Sequence, residues 1–366
     1  MKIVIPVTGF GKSGGYRVLS ELANNWIKLG HEVIFISHVK SIPVYFPTIA
    51  KILWIDNSGN ECNFQEKSED YLLKKGILQF FLTLNSLRVA LNNFCDGYDI
   101  VLANHSFSSY PVYLSKFKGK KWYYIQAYEP EYYAMSKGVK NKIFRYLSYL
   151  SYYFPLEKIV NSHIYCDYKN IKTDKIVYPG LDLKTFYSKK DIGKLNKPLR
   201  LGIIGRKEIF KGTKYAYEAF EKLRKNLDTE LWVAFGDSEI KDKCIKNYQP
   251  KSDSDLSDFY RNIDILIASG TVQLGAVHYP VIEAMSCGTP VITTAYYPAN
   301  NTNAWVVPIH NSSSIVESVL DIIENENVSD KIFKSLSDVN QFEWESIALK
   351  MIRRFNNLGT LDNNND

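Results

Sequence analysis

The sequence predicts an α/β protein of two domains, each built on a doubly wound parallel sheet. Short apolar runs rich in β-branched residues alternate with helix-length amphipathic stretches, which is the rhythm of βαβ units. This rhythm begins at Lys2, lapses after Gly180 and restarts at Leu199. At 366 residues, 45% of them hydrophobic, the chain is long enough for two ordinary cores.

Each half has its own set of expected elements. The first half is expected to hold strands at Lys2–Val7, Glu32–Ser37, Ile100–Ala103 and Trp122–Gln126, with a helix near Gly15–Leu29. The second half is expected to hold strands at Leu199–Gly205, Leu231–Phe235, Ile263–Ala268 and Val291–Thr294, with helices near Thr213–Lys225 and after Pro280. Turn-rich sequence around Tyr178-Pro179-Gly180 and from Ser188 to Pro198 separates the halves. We therefore place an N-terminal domain at 1–180 and a C-terminal domain at 181–340. An amphipathic helix over Asn340–Phe355 is expected to pack back on the N-terminal domain, with a frayed tail to residue 366.

Composition excludes several classes of protein. Five scattered cysteines without a C-x-x-C spacing argue against a disulfide framework and a zinc site. No apolar run reaches the roughly 18 residues of a membrane span, so a cytoplasmic location is expected. Residues 1–180 carry 22 Lys and Arg against 14 Asp and Glu, a balance of +8, whereas 181–366 balance at −2. A basic first half suits nucleic acid, an anionic membrane or phosphorylated substrates, and charge alone does not choose among them.

Three motifs suit an anionic ligand. The first turn, Thr8 to Gly15, ends in Gly14-Gly15, where backbone N–H groups can approach an anion at a helix N-terminus; a simple tight turn is the alternative. Gly205-Arg206 and Lys211-Gly212 follow a strand, where two cations suit a diphosphate; the alternative is a solvated basic loop. Glu283 lies in the helix after Pro280 and can accept hydrogen bonds from a ribose diol; the alternative is a first-turn charge that complements the helix dipole.

These motifs, with Gly30-His31-Glu32-Val33, Tyr178 to Asp182, Gly236-Asp237 and Glu283 to Val291, resemble family 4 of the retaining GT-B glycosyltransferases in their order and spacing. The resemblance covers nearly the whole chain. It implies two Rossmann-like doubly wound domains that face each other across a cleft. It also implies retaining transfer of a sugar from a nucleoside diphosphate to a glycan or lipid-linked glycan, as in surface polysaccharide synthesis, with no cofactor and no metal.

The resemblance assigns roles to individual residues. Arg206 and Lys211 would contact the donor diphosphate, Glu283 the ribose, and His105, in Asn104-His105-Ser106, the donor sugar. The donor cradle would comprise Gly205, Gly236, Gly275, Ala276, Val277, His278 and Tyr279. The acceptor would meet the N-terminal domain at Gly14, Gly15, Gln126, Tyr128 and Glu129. The segment Tyr124 to Pro130 looks like that of bacterial polysaccharide and rhamnosyl transferases, and an aromatic strand packed into the core is its alternative.

Two positions depart from expected patterns. The family usually has a first glutamate eight residues before Glu283, where this chain has Gly275. We expect His278, Tyr279 and the amides of Gly275 to Val277 to take over its contacts, which favours a deoxy-hexose donor such as activated rhamnose. Asp253-Ser254-Asp255 resembles a metal-binding motif of another transferase fold, but it precedes an apolar helical pattern and is expected to cap that helix.

Some alternatives stay open. A basic cluster with nearby aromatics suits either binding to the inner face of an anionic membrane or a solvated protein surface over a core helix. The cluster comprises Lys116, Lys118, Lys120, Lys121, Lys137, Lys140, Lys142 and Arg145. No nucleic acid partner is expected. The rival functions are a sugar-nucleotide epimerase with the same architecture and a catalytically silent sugar-nucleotide or glycan-binding protein.

Overall fold

The structure is a computed structural model that describes residues 1–11, 13–64, 77–135, 137–189, 192–205, 209–236, 242–325 and 328–356. The chain divides into two compact units. Unit 1 comprises Met1–Gly180 and the C-terminal segment from Trp344, and unit 2 comprises Leu181–Glu343.

Unit 1 contains a six-stranded parallel sheet of order β3-β2-β1-β4-β5-β6. The strands are β1 (Lys2–Val7), β2 (Glu32–His38), β3 (Lys51–Ile55), β4 (Ile100–Ala103), β5 (Lys120–Ile125) and β6 (Glu157–Val160). The helices are α1 (Gly14–Lys28), α2 (Ile77–Phe94), α3 (Ser109–Leu114), α4 (Glu129–Met135) and α5 (Val139–Ser151). A 3₁₀ helix at His163–Asp167 follows β6. The central strands are buried on both faces, which explains why they are continuous apolar runs in the sequence.

The C-terminal helix α11 (Trp344–Phe355) belongs to unit 1. Its apolar stripe is buried, and the Trp26 indole of α1 donates a hydrogen bond to the Ala348 carbonyl at 3.1 Å. The Phe355 ring lies between Trp26 and Trp122, with ring centroids 5.7 and 5.3 Å away. The helix expected from Asn340 is interrupted, because Asn340–Phe342 is a short 3₁₀ turn in unit 2.

Unit 2 repeats the architecture with a parallel sheet of order β12-β11-β10-β7-β8-β9. Its strands are β7 (Leu199–Ile204), β8 (Thr229–Ala234), β9 (Ile245–Tyr248), β10 (Ile265–Ala268), β11 (Val291–Thr293) and β12 (Trp305–Val306). Its helices are α6 (Thr213–Leu223), α7 (Asp253–Asn262), α8 (Tyr279–Ser286), α9 (Ser312–Glu324) and α10 (Val328–Val339). A 3₁₀ turn at Ile209–Lys211 precedes α6.

The predicted fold class is confirmed: both units are doubly wound parallel sheets flanked by helices. The predicted strands are present, with ends shifted by one or two residues. The strands that the sequence analysis did not identify, β3, β6, β9 and β12, are the edges of the two sheets. Edge strands are partly exposed and short, as in the half-exposed β9 and the two-residue β12, so they lack the strong apolar signal of the central strands.

Candidate functional site

In each unit the second and third strands extend the sheet to one side of the first strand, and the fourth strand pairs with the other side of the first strand. This switch point lies between β1 and β4 in unit 1 and between β7 and β10 in unit 2. Ligands of open parallel sheets bind outside the carboxyl ends of the strands at such a point. The predicted site residues of the described chain fall into two groups, one at or near each of these edges.

In unit 2, two glycines allow loops to meet directly after β7 and β8. A Cβ atom on Gly205 would lie 2.7 Å from the Gly236 Cα, and the Gly205 amide donates to the Ala234 carbonyl at 2.7 Å. Gly205 is therefore required by close backbone approach, and a Cβ atom on Gly236 would lie 2.5 Å from the Asn247 and Val233 side chains. These packing roles are in addition to the predicted donor contact. Arg206 and Asp237, which follow them, lie outside the described residues.

Lys211 is held at the switch point by contacts around the end of β10. The Phe210 carbonyl accepts a hydrogen bond from the Thr271 amide at 2.9 Å. Gly212 has a φ of +70°, and a side chain there would overlap the Ser269 carbonyl, so only glycine fits. Lys211 is half-buried, and its Nζ lies 5.5 Å from the centre of the Phe210 ring. The structure therefore places a lysine ammonium close to the carboxyl end of the sheet.

Helix α8 begins and ends as the sequence predicts. His278 is its N-cap, Pro280 lies in the first turn, and Gly288 follows the C-cap with a φ of +69°. The Thr289 amide donates to the Ala284 carbonyl at 3.0 Å, which closes the last turn.

Glu283 lies deeper in α8 than a first-turn residue, and the first turn contains no acidic side chain. The alternative of a dipole-complementing charge is therefore wrong. The residue is only 2% exposed, and its carboxyl oxygen Oε2 accepts a hydrogen bond from the Tyr260 hydroxyl at 2.9 Å. The Tyr260 hydroxyl therefore holds the Glu283 carboxyl group in a fixed orientation in the second turn of α8.

The segment from Gly275 to Tyr279, which leads into α8, is half-buried throughout. The Gly275 amide donates to the Ala295 carbonyl at 2.8 Å, and the Ala276 amide donates to the Gln273 carbonyl at 3.1 Å. Two of the three amides expected to hold a sugar are thus engaged within the unit. The loop stays close to Tyr297, whose amide donates to the Ala276 carbonyl at 3.1 Å.

The His278 ring stacks on Tyr296, with ring centroids 4.5 Å apart and planes inclined by 22°. Burial raises the pKa of Tyr296 to about 12, and its hydroxyl donates to the Val272 carbonyl at 2.9 Å. The tyrosine therefore remains a neutral platform that fixes the orientation of the imidazole.

In unit 1, the glycine-rich turn after β1 lies close to the residue that follows β5. Gly14 and Gly15 form the first residues of α1, after the N-cap Ser13. A Cβ atom on Gly15 would lie 3.4 Å from Oε1 of Gln126, the first residue after β5. This amide oxygen is buried and has no hydrogen-bond partner in the part of the chain that the structure describes. The structure thus brings together Gly15 and Gln126, which the sequence analysis assigned to one acceptor site.

His105 lies in a loop after β4 that is fastened by serine hydroxyls. Ser108 Oγ accepts hydrogen bonds from the amides of Asn104 and His105 at 2.9 and 3.0 Å, and Ser109 Oγ donates to the Ser106 carbonyl at 2.6 Å. Asn104 Nδ2 donates to the Pro6 carbonyl at 2.9 Å, which ties the loop to β1. The imidazole is half-exposed above this rigid base.

Two of the predicted acceptor residues are buried. Tyr128 packs in the core against Tyr168, with ring centroids 4.1 Å apart, and its hydroxyl accepts from Asn170 at 3.1 Å. The prediction that Tyr128 lines an open acceptor surface is wrong for this structure, and the core alternative holds for it. Glu129 is 7% exposed and accepts a hydrogen bond from Tyr152.

Three residues that support the site were missed: Tyr152, Tyr260 and Tyr296. Tyr152 and Tyr260 each lie 23 residues from the glutamate they contact. No local spacing could have identified these pairs, because the sheet topology brings them together.

The acidic motif forms the first turn of α7, as its predicted role at the start of that helix requires, and the N-cap itself is the preceding Ser252. The Asp255 amide donates to the Ser252 Oγ at 3.1 Å, and the Asp255 carboxyl group accepts from the Lys251 amide at 2.9 Å. Within the described ranges, no group of three or more His, Cys, Asp and Glu side chains is placed to hold a metal ion.

The basic cluster of unit 1 is divided into two parts. Lys118 pairs with Asp96, whereas the Nζ atoms of Lys120 and Lys121 donate to backbone carbonyls around the amino end of β5. The second part lies on or just before α5 and is exposed; it comprises Lys137, Lys140, Lys142 and Arg145. No helix among the described residues is both long and apolar enough to cross a membrane.

Comparisons with known proteins bear on both units. Residues 198–325 match the family model described as Glycosyl transferases group 1. Sucrose-phosphate synthase from Thermosynechococcus elongatus is similar in structure, with a TM-score of 0.75 and 16% identity over 98% of this chain and 99% of that chain. A search of curated proteins finds no match to this chain.

Two further solved structures show the same similarity. Anabaena HepE, in complex with UDP-glucose, matches with a TM-score of 0.69 and 14% identity over 98% of this chain and 100% of that chain. TarM matches with a TM-score of 0.67 and 11% identity over 97% of this chain and 98% of that chain. The two units therefore have the GT-B glycosyltransferase fold, and residues 198–325 of unit 2 are similar to the Glycosyl transferases group 1 family.

Proposed function

We propose that the chain is a retaining glycosyltransferase that moves a sugar from a nucleoside diphosphate to a hydroxyl of a glycan or lipid-linked glycan, as in the synthesis of bacterial surface polysaccharides. The observation that carries this proposal is the switch point of unit 2. There Lys211, the N-terminus of α8 and the buried Glu283 lie within the segment that matches the Glycosyl transferases group 1 model.

The proposed chemistry follows from the charge that develops on the leaving diphosphate. Lys211, Arg206 and the positive end of α8 stabilise that charge, an effect worth about 3 to 4 kcal/mol for one well-placed donor. Glu283 accepts hydrogen bonds from the ribose diol. The acceptor hydroxyl loses its proton to the leaving phosphate on the same face of the sugar, so that no protein nucleophile is required.

Solved structures with this fold contain molecules of the donor and acceptor classes proposed for this chain. HepE was solved with UDP-glucose, and a TarM variant was solved with fondaparinux, α-GlcNAc-glycerol and UDP. In unit 1 we propose that the acceptor meets the Gly14-Gly15 turn and Gln126, and that His105 contacts the transferred sugar.

The test begins with thermal-shift measurements on a panel of nucleoside diphosphate sugars. A donor at a hundred times its dissociation constant stabilises the protein by about 2.7 kcal/mol. The best donor is then incubated with glycan and lipid-linked glycan acceptors, and the anomeric configuration of the product is read by NMR. Transfer with retention, unaffected by EDTA, is expected. An inverted product would refute the mechanism, and loss of activity on chelation, restored by manganese or magnesium, would refute metal independence.

The same donor incubated without acceptor separates the rival functions. An epimerase would convert the sugar, whereas a transferase would at most hydrolyse the donor. Binding of the donor without turnover against any acceptor would support the silent binding protein.

We further propose a deoxy-hexose donor. Gly275 offers no carboxylate to a sugar hydroxyl. In a site with a buried carboxylate, a donor that lacks the hydroxyl leaves that carboxylate unpaired, at a cost of about 1 to 3 kcal/mol. This cost does not arise at Gly275. His278 and Tyr279 replace that contact. His278→Ala should reduce donor turnover more than affinity for the free nucleoside diphosphate. Preference for fully hydroxylated glucose-type donors would reject the deoxy-sugar proposal, and equal loss of both quantities would place His278 away from the sugar.

A further inference from the structure

We infer that Glu129 is a positioning residue for His105, with Tyr152 holding the Glu129 carboxyl group in place. This inference rests on the proposed role of His105 at the sugar. It gives Glu129 a different task from the acceptor contact predicted from the sequence, because the carboxyl group is buried beneath the His105 loop.

The two carboxyl oxygens of Glu129 have distinct partners. Oε1 accepts a hydrogen bond from the Ser106 amide at 3.3 Å and lies 3.9 Å from Nε2 of His105. Oε2 accepts a hydrogen bond from the Tyr152 hydroxyl. A buried carboxyl group requires such partners, and His105 is the basic side chain paired with it in the described part of the chain.

The other imidazole nitrogen is also fixed. Nδ1 of His105 accepts a hydrogen bond from the Phe107 amide at 3.1 Å, so a neutral imidazole carries its proton on Nε2. That N–H is on the Glu129 side of the ring. The Phe107 amide selects this tautomer, and the Glu129 carboxyl group, 3.9 Å from Nε2, favours the same ring orientation by electrostatic attraction. A carboxyl group close to the second ring nitrogen of a histidine is a general means of orienting the ring.

The Tyr152 hydroxyl is suited to donating the hydrogen bond that holds Glu129. Burial raises the pKa of its hydroxyl well above the ordinary value, and the neighbouring Glu129 raises it further, so the hydroxyl remains a donor. Tyr152 is fully buried at the end of α5, and the Glu129 amide also lies 3.3 Å from the Tyr152 hydroxyl. The start of α4 and the end of α5 are thereby tied together behind the loop.

The chain contains a matched control in the same helix. Glu131 accepts a hydrogen bond from the Tyr168 hydroxyl at 2.6 Å, a Glu–Tyr pair like that of Glu129 and Tyr152. It lacks the contact with His105. Glu131→Gln thus tests what loss of a carboxylate in α4 does by itself.

The first measurement needs no substrate. In ¹⁵N-histidine-labelled full-length protein, the six histidines give imidazole signals, and His105→Gln identifies that of His105. Glu129→Gln should shift the His105 ¹⁵N signals and leave the others in place, whereas Glu131→Gln should leave His105 unchanged. Unchanged His105 signals in Glu129→Gln would overturn the inference whether or not the chain is a glycosyltransferase.

The second measurement is a double-mutant cycle on turnover with the best donor. Glu129→Gln should lower kcat by about 10- to 100-fold with little change in the donor KM, and Tyr152→Phe should lower it less. In the His105→Gln background, Glu129→Gln should add almost nothing. Equal losses with and without His105 would show that Glu129 acts on its own and would overturn the inference. If NMR shows the coupling and no variant affects transfer, the positioning stands and the proposed role of His105 fails.

Discussion

At the scale of single residues, Lys211 shows how a cation is set in place by its neighbours. Gly212 can be nothing but glycine there, and the Phe210 carbonyl is bonded to Thr271 beyond β10. The backbone at Lys211 is therefore fixed by the contact between two loops. A substitution of its side chain should leave the fold intact.

Lys211→Ala should cut turnover about a hundredfold, because it removes a cation from the site where charge develops on the diphosphate. Lys214→Ala is the matched control, since Lys214 is exposed on the first turn of α6 and forms an ion pair with Glu218 in the same helix. Circular dichroism and steady-state kinetics are measured on both variants. Near wild-type turnover for Lys211→Ala would contradict the assigned role.

At the scale of secondary structure elements, the C-terminal helix α11 completes the core of unit 1. Phe355 is fully buried between two tryptophans, whereas Leu349 of the same helix is 37% exposed. The helix thus supplies part of a hydrophobic core whose strands and helices come from the other end of the chain.

Phe355→Ala should lower the free energy of unfolding by about 3 to 5 kcal/mol, because it leaves a cavity beside Trp26 and Trp122. Leu349→Ala should change it by only about 0.5 kcal/mol. Urea denaturation followed by tryptophan fluorescence measures both. Comparable effects of the two substitutions would show that α11 is not part of the core in solution.

Helix α5 presents exposed apolar side chains beside lysines. Val139, Ile143 and Tyr146 are 72%, 46% and 63% exposed beside Lys140 and Lys142. Apolar side chains flanked by lysines suit an anionic lipid surface, at about 1 kcal/mol for each basic residue engaged.

The double variant Lys140→Glu/Lys142→Glu should therefore lose most binding to anionic vesicles in sedimentation, and wild-type binding should weaken as salt increases. Lys116→Glu/Lys118→Glu changes the net charge equally, away from α5, and should retain most of the binding. If both variants lose binding alike, net charge is responsible and α5 is not the contact.

At the scale of the whole molecule, buried tyrosines couple the stability of the fold to alkaline pH. Burial raises the pKa of Tyr16, Tyr110 and Tyr296 to about 12, and it raises those of Tyr123, Tyr152 and Tyr165 well above the ordinary value. In the unfolded chain a tyrosine ionises near pH 10. Raised values in the folded state stabilise the protein fully below about pH 10, and this contribution is lost as the pH rises towards 12 and beyond.

The urea concentration at the midpoint of unfolding should accordingly decrease as the pH is raised from 9 to about 11. Absorbance at 295 nm should show part of the tyrosines ionising only when the protein unfolds. Full ionisation near pH 10 in a protein that remains folded would contradict the burial of these side chains.

Sequence patterns predict the doubly wound fold, the central strands, the limits of α8 and the capped start of α7, because periodicity, turn residues and capping residues act over a few neighbouring positions. The resemblance to family 4 glycosyltransferases groups Gly15 with Gln126, which lie close together in the structure. The packing of the folded chain was needed to show that Tyr128 is buried, that the basic cluster is divided, and that Glu129 and Glu283 each have a tyrosine partner. These contacts join residues far apart in the chain, and the order of the strands and the packing of the helices bring them together. That order depends on the whole sheet, whereas sequence patterns record only the local conformation.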